Sequence, residues 1–280
     1  MRFSLATSAI ALTIAVASCA APKETLAETT PVTTETVAED TTIADATAFM
    51  ARAESELSDM SDEASIIFWN QATNITDETN AAAAEVGARY TKLAVSLANE
   101  SKKFNLADLP PELARKLTRL RAGITIPAPS TEGAAEELSA ITTDLEAKYG
   151  TGTFNYKGKD LTLDELSTII ETSRDPEELK AVWEGWRTVS PPMKDEYARM
   201  VEIANEGARE LGYPSLDQMR LSNYDMPPEE MEAEVDRLWG QVEPLYKELH
   251  CYARNRLNAQ YGDDIQPKTG PIRADLLGNM

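Results

Sequence analysis

The chain has 280 residues, 42% of them hydrophobic, enough to bury the core of one large domain or two small ones. Its net charge of −20 argues against nucleic acid as a partner and against a basic membrane-docking face. A single histidine and two cysteines exclude the usual His- and Cys-rich metal sites.

Residues 1–18 read as a secretory signal, with Arg2 ahead of the short apolar run from Leu5 to Ala17. That run is too short for a membrane span. It closes on Val16-Ala17-Ser18-Cys19, a small-residue box before a cysteine, which resembles a bacterial lipoprotein signal. Lipidation of Cys19 is the preferred reading; ordinary signal cleavage after Ala15-Val16-Ala17 is the other. Residues 19–47 are Thr, Ala, Glu and Pro with almost nothing bulky, and carry Lys23 against six acids. Such a segment cannot bury enough apolar surface to order itself and is expected to be a tether spanning roughly 30 Å. The body, residues 48–280, would then be exported and held near a membrane through Cys19, in the periplasm or at an outer membrane. With Cys19 processed, Cys251 has no partner for an internal disulfide, and it is expected to be a small buried apolar residue.

The body reads as helix almost throughout. Helices are expected from Ala46 to Leu57, from Asp62 to Gln71, and from about Thr76 to Lys103, the last capped by Thr76 or Asp77. Pro110-Pro111 opens another through Arg121, Ile124 to Pro129 is a break, and Thr131 to Tyr149 follows. The alternating aromatics and Lys-Gly pair of TGTFNYKGK predict a hairpin between Gly150 and Lys159. After Pro227-Pro228, residues Met231, Val235, Leu238, Val242, Leu245, Leu249 and Tyr252 form an apolar stripe spaced 4-3-4-3-4-3. That pattern is a core face, and Pro244 inside it predicts a kink.

No His-Glu-x-x-His, Cys-x-x-Cys, P-loop or Gly-x-Ser-x-Gly is present. His250 is expected to be a hydrogen-bonded packing residue rather than a ligand. In Trp183-Glu184-Gly185-Trp186-Arg187 the two indoles share a helix face, and the glycine admits a close backbone neighbour. Arg187 is expected to be partly buried, which requires either a carboxylate partner or an anion.

These tracts resemble the angiotensin-converting-enzyme family, the peptidyl-dipeptidases A. The resemblance rests on Asn74-Ile75-Thr76-Asp77-Glu78-Thr79, Glu171-Thr172-Ser173-Arg174, the Trp183 to Arg187 motif, Tyr224-Asp225-Met226-Pro227-Pro228 and Gly270 to Met280, in that order. It implies an all-α, large helical peptidase fold with a central cleft, of which this chain holds the N-terminal half: lid helices up to about Arg121 and part of the cleft wall. It implies that Arg187 and Tyr224 belong to two chloride sites, both completed by residues beyond Met280. Met219-Arg220-Leu221-Ser222 departs from the family's Trp-Arg-Ser, and Arg273 and Asp275 replace its Pro and His.

The implied activity is zinc-dependent release of dipeptides from the C-termini of short peptides. The implied metal site is a His-Glu-x-x-His followed by a glutamate, downstream of Met280. The chain is therefore expected to be an N-terminal portion, inactive alone and without catalytic zinc, exposing apolar surface meant for the remainder. The alternative is a non-catalytic helical periplasmic lipoprotein acting as a binding or scaffold module.

Overall fold

The computed structural model describes residues 42–280; the signal segment, Cys19 and the tether as far as residue 41 lie outside the described residues. The first helix, α1 (Ile43–Thr73), starts earlier than composition predicts. Thr42 accepts a hydrogen bond from the Asp45 amide at 3.1 Å, and the Asp45 carboxylate accepts one from the Thr42 amide at 2.9 Å. This reciprocal capping box satisfies two orphan donors, and Ala46 is fully buried. Residues 43–47 thus belong to the helix rather than to a tether. The break expected between Leu57 and Asp62 is absent, because Ser58-Asp59-Met60-Ser61 holds no glycine or proline to stop the ladder.

Thr76 caps α2 (Asp77–Ser101) through a second box with Thr79, and α3 (Pro111–Ala122) starts on Pro111, whose missing amide costs nothing there. Helix α4 (Ala134–Gly150) begins three residues later than expected, after Gly133 takes a left-handed conformation with φ 82°. Strands β1 (Thr153–Tyr156) and β2 (Lys159–Thr162) pair with Phe154 opposite Leu161. The turn between them holds Lys157 and Gly158 at φ 53° and 82°, the paired positive values of a type I′ hairpin. Then follow α5 (Leu163–Thr172), α6 (Pro176–Trp186), α7 (Lys194–Glu210), α8 (Leu216–Leu221) and α9 (Pro228–Tyr261). Apart from the hairpin, the regular structure of the described residues is helical, the all-α class expected.

Four apolar clusters hold these elements. Phe49, Met50, Leu97, Phe104 and Leu117 join α1, α2 and α3, while Ala98, Ala208, Leu211 and Met219 join α2 to α7 and α8. Leu138 and Ile203 join α4 to α7. Alanines on the buried face of α2 let its neighbours approach closely: a Cβ on Gly87 would overlap Ser139 Oγ of α4. The fourth cluster gathers Leu166, Ile170, Leu179, Val182, Trp186 and Leu276, with Leu257 and Tyr261 from the end of α9. Interhelical ion pairs such as Arg89–Glu63 (2.8 Å) and Arg52–Glu100 (2.6 Å) lie on the surface, where each contributes at most about 1 kcal/mol.

Helix α9 corrects one expectation. Its stripe is not core in this chain: Val235, Leu238, Val242, Leu245, Leu249 and Tyr252 are exposed, Leu245 at 73%. The helix runs through Pro244 as one element of 34 residues, and Asn258 is its one buried residue. Local spacing specifies the stripe, but no described element lies against it.

Replacing Thr76 by Ala removes the cap acceptor at α2 and should lower the unfolding free energy by about 1 kcal/mol in urea titration. An unchanged midpoint would show that tertiary contacts alone hold that end.

Candidate functional site

The first candidate site is a cavity of about 610 Å³ walled by α1 to α4. Leu57 and Phe68 come from α1, Tyr90 and Ala94 from α2, Leu120 from the end of α3, and Ser139, Thr143 and Glu146 from α4. The floor is the segment Gly123 to Ile126. That segment is pinned because Arg220 donates two hydrogen bonds to the Thr125 carbonyl, at 3.1 and 2.9 Å. The lining is mostly apolar with a few polar groups, the usual make-up of a small-molecule or peptide site. Glu146 reaches solvent at the rim, yet desolvation by the cavity walls pushes its carboxyl above the ordinary glutamate range. Nothing in the sequence had singled it out.

The second site is the corner around Arg187. Trp186 is buried in the α5–α6 cluster, and its indole meets Tyr149 edge-on with centroids 5.3 Å apart. Gly185 is required there for a different reason from the one the motif suggested. A Cβ would overlap the Phe154 ring, so the close neighbour is an aromatic side chain and not a backbone. Arg187 is exposed rather than partly buried, which corrects the sequence reading. Its guanidinium stacks 3.7 Å from the Trp183 ring centre and donates to the Trp183 carbonyl at 3.4 Å and to Met280 Sδ at 3.3 Å. Stacking takes the place of a carboxylate, and no ion pair to Arg187 occurs among the described residues.

Tyr224 lies elsewhere. The residue is 55% exposed in the turn after α8, while its neighbours are tied to α3: Asn223 donates to the Ala122 carbonyl at 2.6 Å and Asp225 pairs with Arg115 at 2.7 Å. No hydrogen bond, ion pair or ring contact joins Tyr224 to Arg187, so the two implied chloride residues are held separately. His250 is half-buried on α9, its Nδ1 3.3 Å from an Arg254 nitrogen and its ring 6.1 Å from Tyr246, both contacts lying within the helix. Cys251 is half-buried rather than buried. Cys19 lies outside the described residues.

Residues 262–280 return to α6 along a hydrogen-bonded path. Gln266 is fully buried; its amide donates to the Pro267 and Pro271 carbonyls and its carbonyl accepts from the Arg273 amide at 2.9 Å. Arg273 grips Asp275 through two bonds of 3.1 and 2.6 Å and also donates to the Pro176 carbonyl at 3.0 Å. The two departures from the family pattern therefore complement one another, which their single-residue readings had not shown.

No group of three or more His, Cys, Asp or Glu placed to hold a metal occurs among the described residues. Nor is any helix there long and apolar enough to cross a membrane.

A family model described as angiotensin-converting enzyme matches residues 40–280. The chain is 31% identical over 241 residues to an angiotensin-converting enzyme of Haematobia irritans exigua, covering 84% of this chain and 39% of that protein. It is 33% identical over 225 residues to one of Theromyzon tessulatum, covering 76% of this chain and 35% of that protein. It is 29% identical over 215 residues to one of Bos taurus, with 76% and 16% covered. The chain thus spans well under half the length of these curated relatives.

Two substitutions test the geometry. Gly185→Ala should cost about 1–3 kcal/mol by overpacking, and much less when Phe154→Ala is present. Equal costs in both backgrounds would show that the ring does not fill the notch. For Glu146 the folded carboxyl binds its proton more tightly than the unfolded one, whose reference value is 4.5. The native state holds more protons in that interval, so stability falls as pH rises through it. Glu146→Gln should therefore raise the melting midpoint slightly at pH 7 and leave it unchanged at pH 3. A lower midpoint at pH 7 would contradict the desolvation.

Proposed function

The chain belongs to the angiotensin-converting enzyme family of peptidases, and from that premise we propose that it is the N-terminal part of a zinc-dependent dipeptidyl carboxypeptidase. The family match running from residue 40 to 280 carries the reading. One feature of the chain supports it: an open, mostly apolar cavity bounded by the first four helices.

The residues present do not fit a catalytic zinc. The one histidine of the sequence is engaged with Arg254, and no group of three or more His, Cys, Asp or Glu placed to hold a metal occurs among the described residues. No step of hydrolysis is therefore assigned to this chain. Its own contribution is shape: α1 to α3 act as a lid and α4 as a wall, restricting entry to short flexible peptides. The cavity between them takes the part of the peptide away from the scissile bond. Arg187 and Tyr224 each supply one group toward a chloride site completed elsewhere in the protein, Arg187 as a stacked cation and Tyr224 as a solvent-facing phenol. Cys19 is proposed as the lipid-anchored N-terminus of an exported bacterial protein.

The second reading is a non-catalytic binding or scaffold module. The two are separated by sequencing past codon 280 and assaying the products. An N-blocked tripeptide should be cleaved to a dipeptide, in an EDTA-sensitive manner, by a longer product carrying His-Glu-x-x-His and not by residues 42–280 alone. EDTA-sensitive turnover by residues 42–280 would overturn the proposal, and a stop at codon 281 would favour the module.

A further inference from the structure

Between α3 and α4 the chain crosses the cavity as a strap without regular structure. It runs over residues 123–130, and Gly123 to Ile126 line the cavity. The strap is held from the α7–α8 side. Asn223 donates to the Ala122 carbonyl at 2.6 Å, and Arg220 donates to that of Thr125 at 2.9 Å. A Cβ at Gly207 would lie 2.5 Å from the Pro127 carbonyl oxygen, so α7 and the strap meet backbone to backbone. Ile124 joins the cluster of Ala208 and Met219, and Ile126 joins the one around Ile203. Among the described residues, no side chain of α1 or α4 makes a hydrogen bond to residues 122–130.

The far end of the strap is tied by Glu210, the last residue of α7. Its carboxylate accepts from the Ser130 amide at 2.7 Å, from the Ser130 hydroxyl, and from Asn99 of α2 at 3.2 Å. Desolvation pushes that carboxyl up, but the Ser130 and Asn99 bonds and the Lys102 charge outweigh it and hold it below the ordinary glutamate range. The group is therefore ionised near neutral pH, and bonds to an ionised acceptor are the stronger class. Pro127 and Pro129 carry no amide, so this end of the strap has few donors, and Glu210 takes both that Ser130 offers. Lys102 donates to the Glu210 main-chain carbonyl at 2.8 Å, a bond that does not depend on the carboxylate.

We propose that Glu210 is a positioning residue for the peptide site: by holding Ser130 it seats the strap on α7 and fixes how far Ile124 and Ile126 reach into the cavity. The inference rests on the reading of that cavity as the place for the part of the peptide away from the scissile bond. Glu210 acts through the strap and touches no peptide itself. Its loss frees the cavity floor, so a peptide long enough to lie on that floor binds less well and a short one is unaffected. The change falls on binding and not on the bond-breaking step.

Glu210 is exposed at a helix end, so the fold should survive Glu210→Leu; if circular dichroism shows lost helicity, Ser130→Ala is the substitute. In isoleucine-methyl NMR spectra of the chain, Glu210→Leu should move the Ile124 and Ile126 signals toward that of the exposed Ile66. The signal of Ile170, in the cluster of the other half, should stay in place. Glu210→Gln keeps an acceptor oxygen for Ser130 and should leave all of these signals where they are. In the longer product carrying His-Glu-x-x-His, Glu210→Leu should raise KM for an N-blocked hexapeptide at least about fivefold. Its kcat should hold within about twofold, as should KM for the N-blocked tripeptide. Unmoved Ile124 and Ile126 signals overturn the proposal, as do equal movements in Glu210→Gln or equal KM changes, or none, for the two peptides. An inactive longer product counts against the peptidase reading alone, because the methyl spectra still decide whether Glu210 seats the strap. Unmoved signals leave the peptidase reading standing.

Discussion

An apolar helix face must be covered, and the covering of one helix by the next organises this chain. Helix α2 is the element on which the first half depends. Its alanine-rich face lets α1 lie on one side and α4 on the other, and its C-terminal end is closed by Arg121, which donates to the Ser101 and Phe104 carbonyls at 2.6 and 3.0 Å. The guanidinium satisfies two carbonyls at a helix end where the backbone runs out of partners. In the second half the same requirement is met by the Leu166–Trp186–Leu276 cluster, which closes α5, α6 and the returning segment over one another. Helix α9 meets the requirement only at its two ends.

That asymmetry links the fold to the function proposed. The first four helices wall an open cavity, and the segment Gly123 to Ile126 that completes its lining is tied down by Arg220 of α8. The second half instead presents groups outward: Arg187 stacked on Trp183, Tyr224 in solvent, and an apolar seam along α9. Arg187 is held by contacts of its guanidinium itself, with the Trp183 ring and Met280 Sδ, whereas Tyr224 is held through its neighbours in the chain. Asn223 and Asp225 fix the turn and leave the Tyr224 ring free, and Arg273 with Asp275 fixes the segment that brings Met280 to Arg187. Under the proposed function such a surface would be arranged in advance of its partners, which would reduce the ordering cost of binding.

Much of the fold was legible in the sequence because it is locally encoded. Thr76 at the start of α2, Pro111 at the start of α3 and Lys157-Gly158 in the hairpin each act through their own neighbours. The continuous α1 was not legible: a polar stretch reads as a break, yet polar residues on a solvent face do not interrupt a helix. Nor was the fate of the α9 stripe, since periodicity reveals that a face is apolar but not whether anything lies against it. The motif drew attention to Arg187, but its exposure depended on Trp183 offering a ring instead of a carboxylate. Glu146 carries no motif at all; its environment is made by three other helices.

The central claim is that the middle of α9 is a helix without a cover, and hydrogen–deuterium exchange tests it directly. In the monomeric chain, amides between Asp236 and Leu249 should exchange orders of magnitude faster than those of the buried stretch of α2, because a lone helix segment opens easily in water. Protection of that segment equal to α2 would contradict the account, since it would mean that something already lies on the seam.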